Sequence, residues 1–185
     1  KRLTIVLLLF AWPAYGADLI TRPSAIAHQF ATLPTVDGDV LNDPAWSGAP
    51  EMTNFRQVRP IEGAPASQKT TVLIGYSDDT LYIAAICYDE DPEGIIITNS
   101  RRDADLADTD SFQVIIDTFR DKQNGFVFGT NPTGIEYDGQ VTKGGTGAFG
   151  SGGGGFNLNW DTIWQVKTQV SEFGWSLEMA IPFKS

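Results

Sequence analysis

Two neighbouring runs of β-branched and aromatic residues give the clearest pattern in the chain. Residues 70–76 and 80–88 form these runs, and the turn-forming sequence Ser77-Asp78-Asp79 separates them, which predicts a β-hairpin. In residues 80–88 both alternating sets of side chains are apolar. Because successive side chains of a strand point to opposite faces, we expect a central strand that is covered on both sides.

The same strand-like pattern recurs through the rest of the chain, with frequent turns and almost no helical periodicity. The sequence Asn42-Asp43-Pro44 places a proline directly after a capping residue, which predicts a short helical turn ending near Trp46. Together these elements predict an all-β fold, specifically an antiparallel β-sandwich. The further strands are predicted at residues 111–117, 125–131, 136–141, 163–170 and 174–181.

Composition narrows the chemistry that this chain can carry. Its 185 residues are 42% hydrophobic, which suffices for one packed domain, and its net charge of -10 argues against nucleic acid as a partner. A single Cys and a single His exclude an internal disulfide, a multi-thiolate metal site and a multi-histidine metal centre. The alternation places Cys87 on an apolar strand face, where a buried and unreactive thiol is expected.

The first residues have the pattern of a secretory signal. Lys1 and Arg2 precede a ten-residue apolar run, and the small residues Ala14 and Gly16 follow it two positions apart. We therefore expect a signal peptide at residues 1–16 and an exported protein, located in the periplasm, the outer membrane or the extracellular space. An N-terminal arm or linker is expected at residues 17–33 and the β-sandwich at residues 34–185. The parent protein is expected to be longer.

The tryptophans divide into core positions and one candidate binding position. Strand alternation places Trp164 and Trp175 on apolar faces, and Trp46 is expected to anchor the short helical turn against the sheet. Trp160 instead lies in a stretch of amide and carboxylate side chains, three residues after Asn157. An exposed indole in that setting can stack on a sugar ring, whose hydroxyl groups need polar partners. Packing against the edge of the sandwich is the alternative for Trp160.

Acidic clusters and a glycine-rich stretch are the remaining candidates. Asp105, Asp108 and Asp110 are oxygen ligands that suit calcium, although solvated loop acids are the alternative. Paired carboxylates could also support glycoside hydrolysis. Residues 145–150 match the spacing of a nucleotide-binding glycine loop, but four glycines in the next five residues would not start the required helix. We therefore expect a flexible loop there and no organic cofactor.

Four short sequence motifs, occurring in the same order along the chain, resemble those of a known protein family. It resembles the family 9 carbohydrate-binding modules, in particular the copy that opens exported bacterial proteins whose remainder is a predicted outer-membrane barrel; other copies occur in xylanases. The resemblance covers about residues 34–185 and implies a β-sandwich, sugar binding, structural calcium and attachment to a larger protein. The motifs contain Val36-Asp37-Gly38 with Trp46, Asp79 with Leu81-Tyr82-Ile83-Ala84, Asp110-Ser111-Phe112-Gln113, and Gly174-Trp175 with Glu178-Met179-Ala180-Ile181-Pro182-Phe183.

The resemblance also implies site residues. In the xylanase-borne modules two tryptophans hold a terminal sugar; the second matches Trp160, three residues after Asn157, whereas the first falls on Ala107, which cannot stack. A sugar-contacting glutamate corresponds to Gln113. Arg102 lies nearby in the sequence and could donate to sugar hydroxyls; the alternative is that it is solvated or paired with the surrounding acids.

These observations predict a non-catalytic module that binds an oligo- or polysaccharide through Trp160, Asn157, Gln113 and Arg102, as part of a larger protein acting in polysaccharide use. One alternative is a structural or docking domain of an outer-membrane barrel protein that has lost sugar binding; the replacement of a stacking tryptophan by Ala107 favours it. The other alternative is a fragment of a glycoside hydrolase.

Overall fold

A computed structural model describes residues 23–145 and 155–184. The predicted signal peptide and most of the glycine-rich loop lie outside these residues. The described part of the chain contains nine strands and three single-turn 3-10 helices, at Pro44–Trp46, Pro92–Gly94 and Lys143–Gly145. None of its helices is long and apolar enough to cross a membrane.

The first sheet has five strands in the order β1-β2-β3-β9-β8. All pairings are antiparallel except that of β1, which runs parallel to β2. The predicted hairpin is confirmed with the bounds expected from the sequence, and β3 is the central strand. The strands are β1 at His28–Gln29, β2 at Thr70–Tyr76, β3 at Thr80–Tyr88, β8 at Gln165–Ser171 and β9 at Gly174–Pro182.

The second sheet has four antiparallel strands in the order β4-β5-β6-β7. Cross-strand pairs share a face, so the pairing of Val114 with Phe128 and of Gln113 with Gly129 assigns these residues to opposite faces. The side that carries Phe128 is called the inner face here, because it packs against the first sheet. The strands are β4 at Phe112–Ile116, β5 at Gly125–Thr130, β6 at Tyr137–Val141 and β7 at Phe156–Asn157.

The main core lies between the two sheets, which confirms the predicted all-β sandwich. It is built from inward-facing side chains of β2, β3, β8 and β9 on one side and of β4 and β5 on the other. Trp164 and Trp175 are buried in this core, as the alternation predicted. Cys87 packs against it half-buried, and burial raises the pKa of its thiol to about 12.

A second core covers the outer face of the five-stranded sheet, so β3 is indeed apolar on both sides. Leu73, Tyr82 and Ile86 meet Trp46, which anchors the short helical turn as expected. Phe30 packs edge-on against the rings of Trp46 and Tyr82, at 5.0 and 5.4 Å. Residues 28–30, at the end of the segment interpreted as an arm or linker, therefore pack into the domain, because Phe30 completes this aromatic cluster and its backbone continues the pairing with β2.

Glu178 fixes the N-terminal segment onto that outer face. This buried carboxylate accepts hydrogen bonds from the backbone N–H groups of Asp37 and Gly38, at 3.0 and 2.9 Å, and from Nε1 of Trp46 at 2.7 Å. Ser176, on the same face of β9, donates its hydroxyl to the carbonyl of Gly38 at 2.6 Å. These bonds satisfy polar groups that would otherwise be costly to bury.

Candidate functional site

An arginine surrounded by carboxylates forms the most concentrated polar cluster of the described residues. The guanidinium of Arg102 donates to Glu136 Oε2 at 2.6 Å, to Asp138 Oδ1 at 2.8 Å and to Asp161 Oδ1. Asp103 Oδ2 lies 3.7 Å from its Nε. Partial desolvation lowers the pKa of Arg102, but attraction to these four acids outweighs it, so that the pKa is raised above the ordinary value.

Asp138 is the buried centre of this cluster. Its side chain is 1% exposed, on the inner face of β6, and its two oxygens bind several donors. Besides Arg102, it accepts the N–H of Thr162 at 3.0 Å and Nε1 of Trp164 at 3.2 Å. Because Thr162 and Trp164 both lie in the loop before β8, while Arg102 comes from the loop before β4, Asp138 holds these two loops against the second sheet.

Next to the cluster lies an open cavity of about 330 Å³, lined by Arg102, Glu136, Asp161, Thr162, Ile163 and Trp164. Its volume is at the lower end of the range for small-ligand sites, which is roughly 300–1,000 Å³. We call it the Arg102 cavity. Its rim consists of carboxylates that can accept hydrogen bonds from hydroxyl groups, and an exposed isoleucine contributes apolar surface.

Trp160 directly precedes Asp161, which lines this cavity, and its side chain is half-buried. Its indole stacks on Phe126, with ring centroids 4.5 Å apart and planes 30° apart, and it meets Phe128 edge-on at 6.2 Å. Trp160 therefore packs against the inner face at the edge of the sandwich, which is the alternative that the sequence left open, and keeps part of its surface accessible. Asn157 is exposed, and its Oδ1 accepts the N–H of Asn159 at 3.1 Å.

The structure does not bring the four predicted sugar-contacting residues into one set of contacts. Arg102 donates to Asp161, which directly follows Trp160, and Asn157 lies on the short strand β7, three residues before Trp160. Gln113 lies apart from them, on the outer face of β4. There it flanks Gly129 together with Tyr137: a Cβ at Gly129 would come 3.0 Å from Gln113 Cγ and 3.2 Å from Tyr137 Cδ1.

Arg102 lies near the predicted site, but its guanidinium forms ion pairs with carboxylates. This is the alternative that the sequence analysis gave for it. The side chain of Arg102 is 40% exposed, and its guanidinium holds Glu136 and Asp161 in place on the rim of the Arg102 cavity.

The predicted calcium ligands do not gather in the structure. Asp105 Oδ1 accepts the N–H of Ala107 at 2.9 Å, and Asp110 Oδ2 accepts the N–H of Ile96 at 2.6 Å, so two of these acids stabilise their own loops. Asp108 is exposed. No group of three or more His, Cys, Asp or Glu residues within 23–145 and 155–184 is arranged to hold a metal ion.

Sequence reasoning missed the acids that surround Arg102. Glu136 and Asp138 lie at the start of a correctly predicted strand, and the alternation that puts Asp138 inside is visible once Phe128 is assigned to the core. Burial also raises the pKa of two residues that are neighbours of this cluster in the sequence. Desolvation is the main cause both for Asp103 and for the hydroxyl of Tyr137, and nearby carboxylates add to it.

Comparisons with known proteins identify the fold. No protein-family model matches the sequence, and no curated protein matches it either. The structure is similar to a family 9 carbohydrate-binding module from Caldicellulosiruptor kristjanssonii solved in complex with glucose, with a TM-score of 0.50, 16% identity, and coverage of 88% of this chain and 70% of that one. The same kind of module from that organism in complex with cellotriose gives a TM-score of 0.51, 16% identity, and coverage of 88% and 69%. The chain therefore has the fold of the family 9 carbohydrate-binding modules.

Proposed function

We propose that this domain binds saccharides without hydrolysing them, and that the Arg102 cavity together with Trp160 is the binding site. The observation that carries the proposal is a small open cavity whose rim is made of fixed carboxylates, one of which, Asp161, directly follows the half-buried Trp160 in the chain. The similar modules from C. kristjanssonii were solved with glucose and cellotriose, which makes these two sugars the first ligands to test.

The chemistry of the cavity supports a neutral, hydroxyl-rich ligand. Sugar hydroxyls are donors that carboxylates accept well, and Glu136 and Asp161 are both oriented by Arg102 before any ligand arrives. Orientation in advance reduces the entropy that binding must otherwise cost. The accessible surface of Trp160 would contact the C–H face of the sugar, while Asn157 is close enough along the chain to contribute an amide.

We expect the affinity for saccharides to be limited, because the site has only one aromatic stacking surface. Ala107 stands where the resemblance implies a second tryptophan, and it is exposed on a loop before β4. Loss of one aromatic face removes apolar contact area from a small ligand, so we expect binding weaker than that of a two-tryptophan site. Longer oligosaccharides should recover part of this loss by reaching further along the rim.

A direct titration tests the proposal. We would titrate glucose, cellotriose and longer oligosaccharides into the protein by calorimetry, with Trp160→Leu and Asp161→Asn as site variants and Gln113→Ala as the matched control on the opposite face of the sheet. Saturable binding that Asp161→Asn weakens and Gln113→Ala leaves unchanged would support the assigned site. Binding lost in Gln113→Ala alone would move the site to the outer face. No heat with any saccharide, in protein shown to be folded by circular dichroism, would refute the function.

Two further parts of the proposal need their own measurements. Release of reducing ends from the same oligosaccharides would contradict the non-catalytic assignment and favour the hydrolase alternative. Calcium remains a prediction from the resemblance, and a titration repeated with calcium and with a chelator tests it. Export through residues 1–16 and attachment to a longer protein with an outer-membrane barrel also stay predictions.

The packing of Trp160 supports a second candidate function. Because its indole is stacked on Phe126, its burial alone accounts for its presence at the sandwich edge. The domain would then be a structural or docking unit without a sugar ligand. The absence of binding to every saccharide in the titration, with stability lowered in Trp160→Leu, is the result expected from this candidate.

A further inference from the structure

The Arg102 cavity is surrounded by more negative than positive charge. The carboxylates of Asp103, Glu136, Asp138 and Asp161 all form ion pairs with the single guanidinium of Arg102. Among the described residues that line the cavity, Arg102 is the only basic one. One positive charge therefore faces four negative charges, and a further cation at this place would be attracted.

Two of the four acids present their charge to a ligand. The side chain of Asp138 is 1% exposed, and it accepts two hydrogen bonds from the loop before β8 in addition to that from Arg102, so its charge is compensated inside the domain. The side chains of Glu136 and Asp161 are 34% and 71% exposed, and both line the cavity. Arg102 binds Oε2 of Glu136 and Oδ1 of Asp161, so the second oxygen of each rim acid is not engaged by the guanidinium.

The carboxylates of this cluster repel one another. Burial raises the pKa of the Asp103 carboxyl, and the negative charges of Asp138 and Asp161 raise it further, although the N–H of Asp138 and the charge of Arg102 partly oppose this. In the part of the chain that the structure describes, no three such acids are arranged to hold a metal ion. A ligand that carries its own positive charge would relieve the repulsion, because it places a cation beside carboxylates that share one.

We propose that the Arg102 cavity selects saccharides by charge, and that its preferred ligands are amino sugars such as glucosamine and its oligomers. A protonated amine has three N–H donors and no acceptor, which suits the second oxygens of Glu136 and Asp161. The hydroxyl groups make the same contacts as those of a neutral sugar, so the amine adds to them. A uronic acid would instead bring another carboxylate to the cluster and is disfavoured. The inference rests on the proposed saccharide binding and names the class of sugar.

Sugars that differ in one substituent test this selection. Glucose, N-acetylglucosamine and glucosamine share one ring and carry a hydroxyl group, a neutral amide or a protonated amine at the same carbon, whereas glucuronate carries a carboxylate. The trimers of glucosamine and of N-acetylglucosamine extend the comparison to cellotriose. Calorimetry at low salt and at about pH 6, where amines are protonated, would measure the affinity of the protein for each sugar.

We expect glucosamine to bind about fivefold more tightly than glucose, which is the gain that one or two exposed ion pairs provide. N-acetylglucosamine should not share this gain, glucuronate should bind more weakly than glucose, and added salt should reduce the differences because it screens exposed charges. Equal affinities for glucose and glucosamine, or an equal gain with N-acetylglucosamine, would overturn the charge selection and leave saccharide binding intact. No binding of any sugar would overturn both.

Variants that remove one charge each locate the selection. Glu136→Gln and Asp161→Asn change the rim of the cavity, and Glu51→Gln is the matched control, because Glu51 is exposed beside Trp46 and Leu73 of the second core. The ratio of the affinities for glucosamine and glucose cancels any general loss of binding. We expect this ratio to fall towards one in the two rim variants and to stay unchanged in Glu51→Gln.

Two results with these variants would contradict the proposal. An equal fall of the ratio in all three variants would assign the preference to the net charge of the whole chain. Displacement of glucosamine by calcium at the same concentration, lost in Asp161→Asn, would assign the rim acids to a metal ion.

Discussion

The bonds of Glu178 make a quantitative prediction about what holds the N-terminal segment to the sheet. Glu178→Gln changes one oxygen to an amide nitrogen and hardly alters volume. Oε1 accepts from Trp46, while Oε2 accepts from two backbone N–H groups. Whichever way the amide turns, its NH₂ group meets at least one donor at about hydrogen-bond distance, so at least one buried N–H loses its acceptor.

Two opposing effects determine how much Glu178→Gln should lower the free energy of unfolding. A buried donor left without a partner costs about 1–3 kcal/mol, and bonds to a charged acceptor are stronger than bonds to a neutral one. Against this, desolvation raises the pKa of Glu178, which means that burial disfavours the charged form, and the neutral amide avoids part of that penalty. We therefore expect Glu178→Gln to lower the free energy of unfolding by about 2 kcal/mol.

A double-mutant cycle with Trp46→Phe isolates the bond from cavity effects. Trp46→Phe removes the indole N–H and some volume in both backgrounds, so only the hydrogen-bond contribution differs between them. In the Glu178→Gln background the indole N–H of Trp46 lacks an acceptor or faces the amide NH₂ group. Its removal by Trp46→Phe should therefore lower the free energy of unfolding less than it does in the wild type, with a coupling energy of about 1.5 kcal/mol. Urea unfolding followed by tryptophan fluorescence measures all four proteins. A Glu178→Gln variant as stable as the wild type, or a coupling near zero, would refute the reasoning.

Four further predictions concern stability and reactivity. Glu178 has a folded pKa raised above its ordinary value of 4.5, so it binds protons more tightly in the folded state. The part of the stability that comes from this tighter protonation is fully present below the unfolded pKa and is lost as the pH rises through the folded pKa. Urea melts should therefore show the wild type gaining stability relative to Glu178→Gln on acidification from neutral pH, and a constant difference would contradict this. Gly38→Ala should lower the free energy of unfolding by about 3 kcal/mol, because the φ of Gly38 is +92° and a Cβ would lie 2.7 Å from a backbone carbon. Gly48 also has a positive φ but has open space around it, so Gly48→Ala should lower the free energy of unfolding by only about 1 kcal/mol in the same melts. Arg102→Met should cost about 2 kcal/mol, since it leaves a buried carboxylate without its cation, and an unchanged urea midpoint would show that the cluster is not needed for folding. Cys87 should react with a thiol reagent at about pH 8 on the order of a thousand times more slowly than the same thiol in urea, and equal rates would contradict its burial.

The hairpin could be predicted with correct bounds because both of its signals are local. Period-two alternation and a polar turn are properties of consecutive residues, and β2 and β3 have both. β8 begins at Gln165, two residues later than predicted, because the preceding residues are drawn to Asp138 through Thr162 and Trp164. The two-residue strand β1 has no local signal, since its pairing depends on a neighbour more than forty residues away in sequence.

The candidate site was harder to predict than the fold, because it depends on which face each side chain occupies. Alternation places Phe112 and Val114 inside and therefore Gln113 outside, a conclusion that needs only the sequence and separates Gln113 from Trp160. The partners of Arg102 could not be found in this way. They lie 34, 36 and 59 residues away along the chain and meet only when β6 and the loop before β8 are packed together.

The residues on which the family resemblance rests stabilise the fold of this domain. Asp37, Gly38 and Trp46 come from its first motif and Glu178 from its last, and all four meet in one buried hydrogen-bond network on the outer face of the first sheet. This network lies on the other side of that sheet from the core that Trp160 contacts. A sequence can therefore keep these motifs, and with them the fold, independently of Ala107, the position where the resemblance implies a stacking tryptophan. That separation explains why the resemblance predicted the β-sandwich better than it predicted the residues around Arg102, and why saccharide binding must be tested at Asp161 and Trp160 rather than inferred from the motifs.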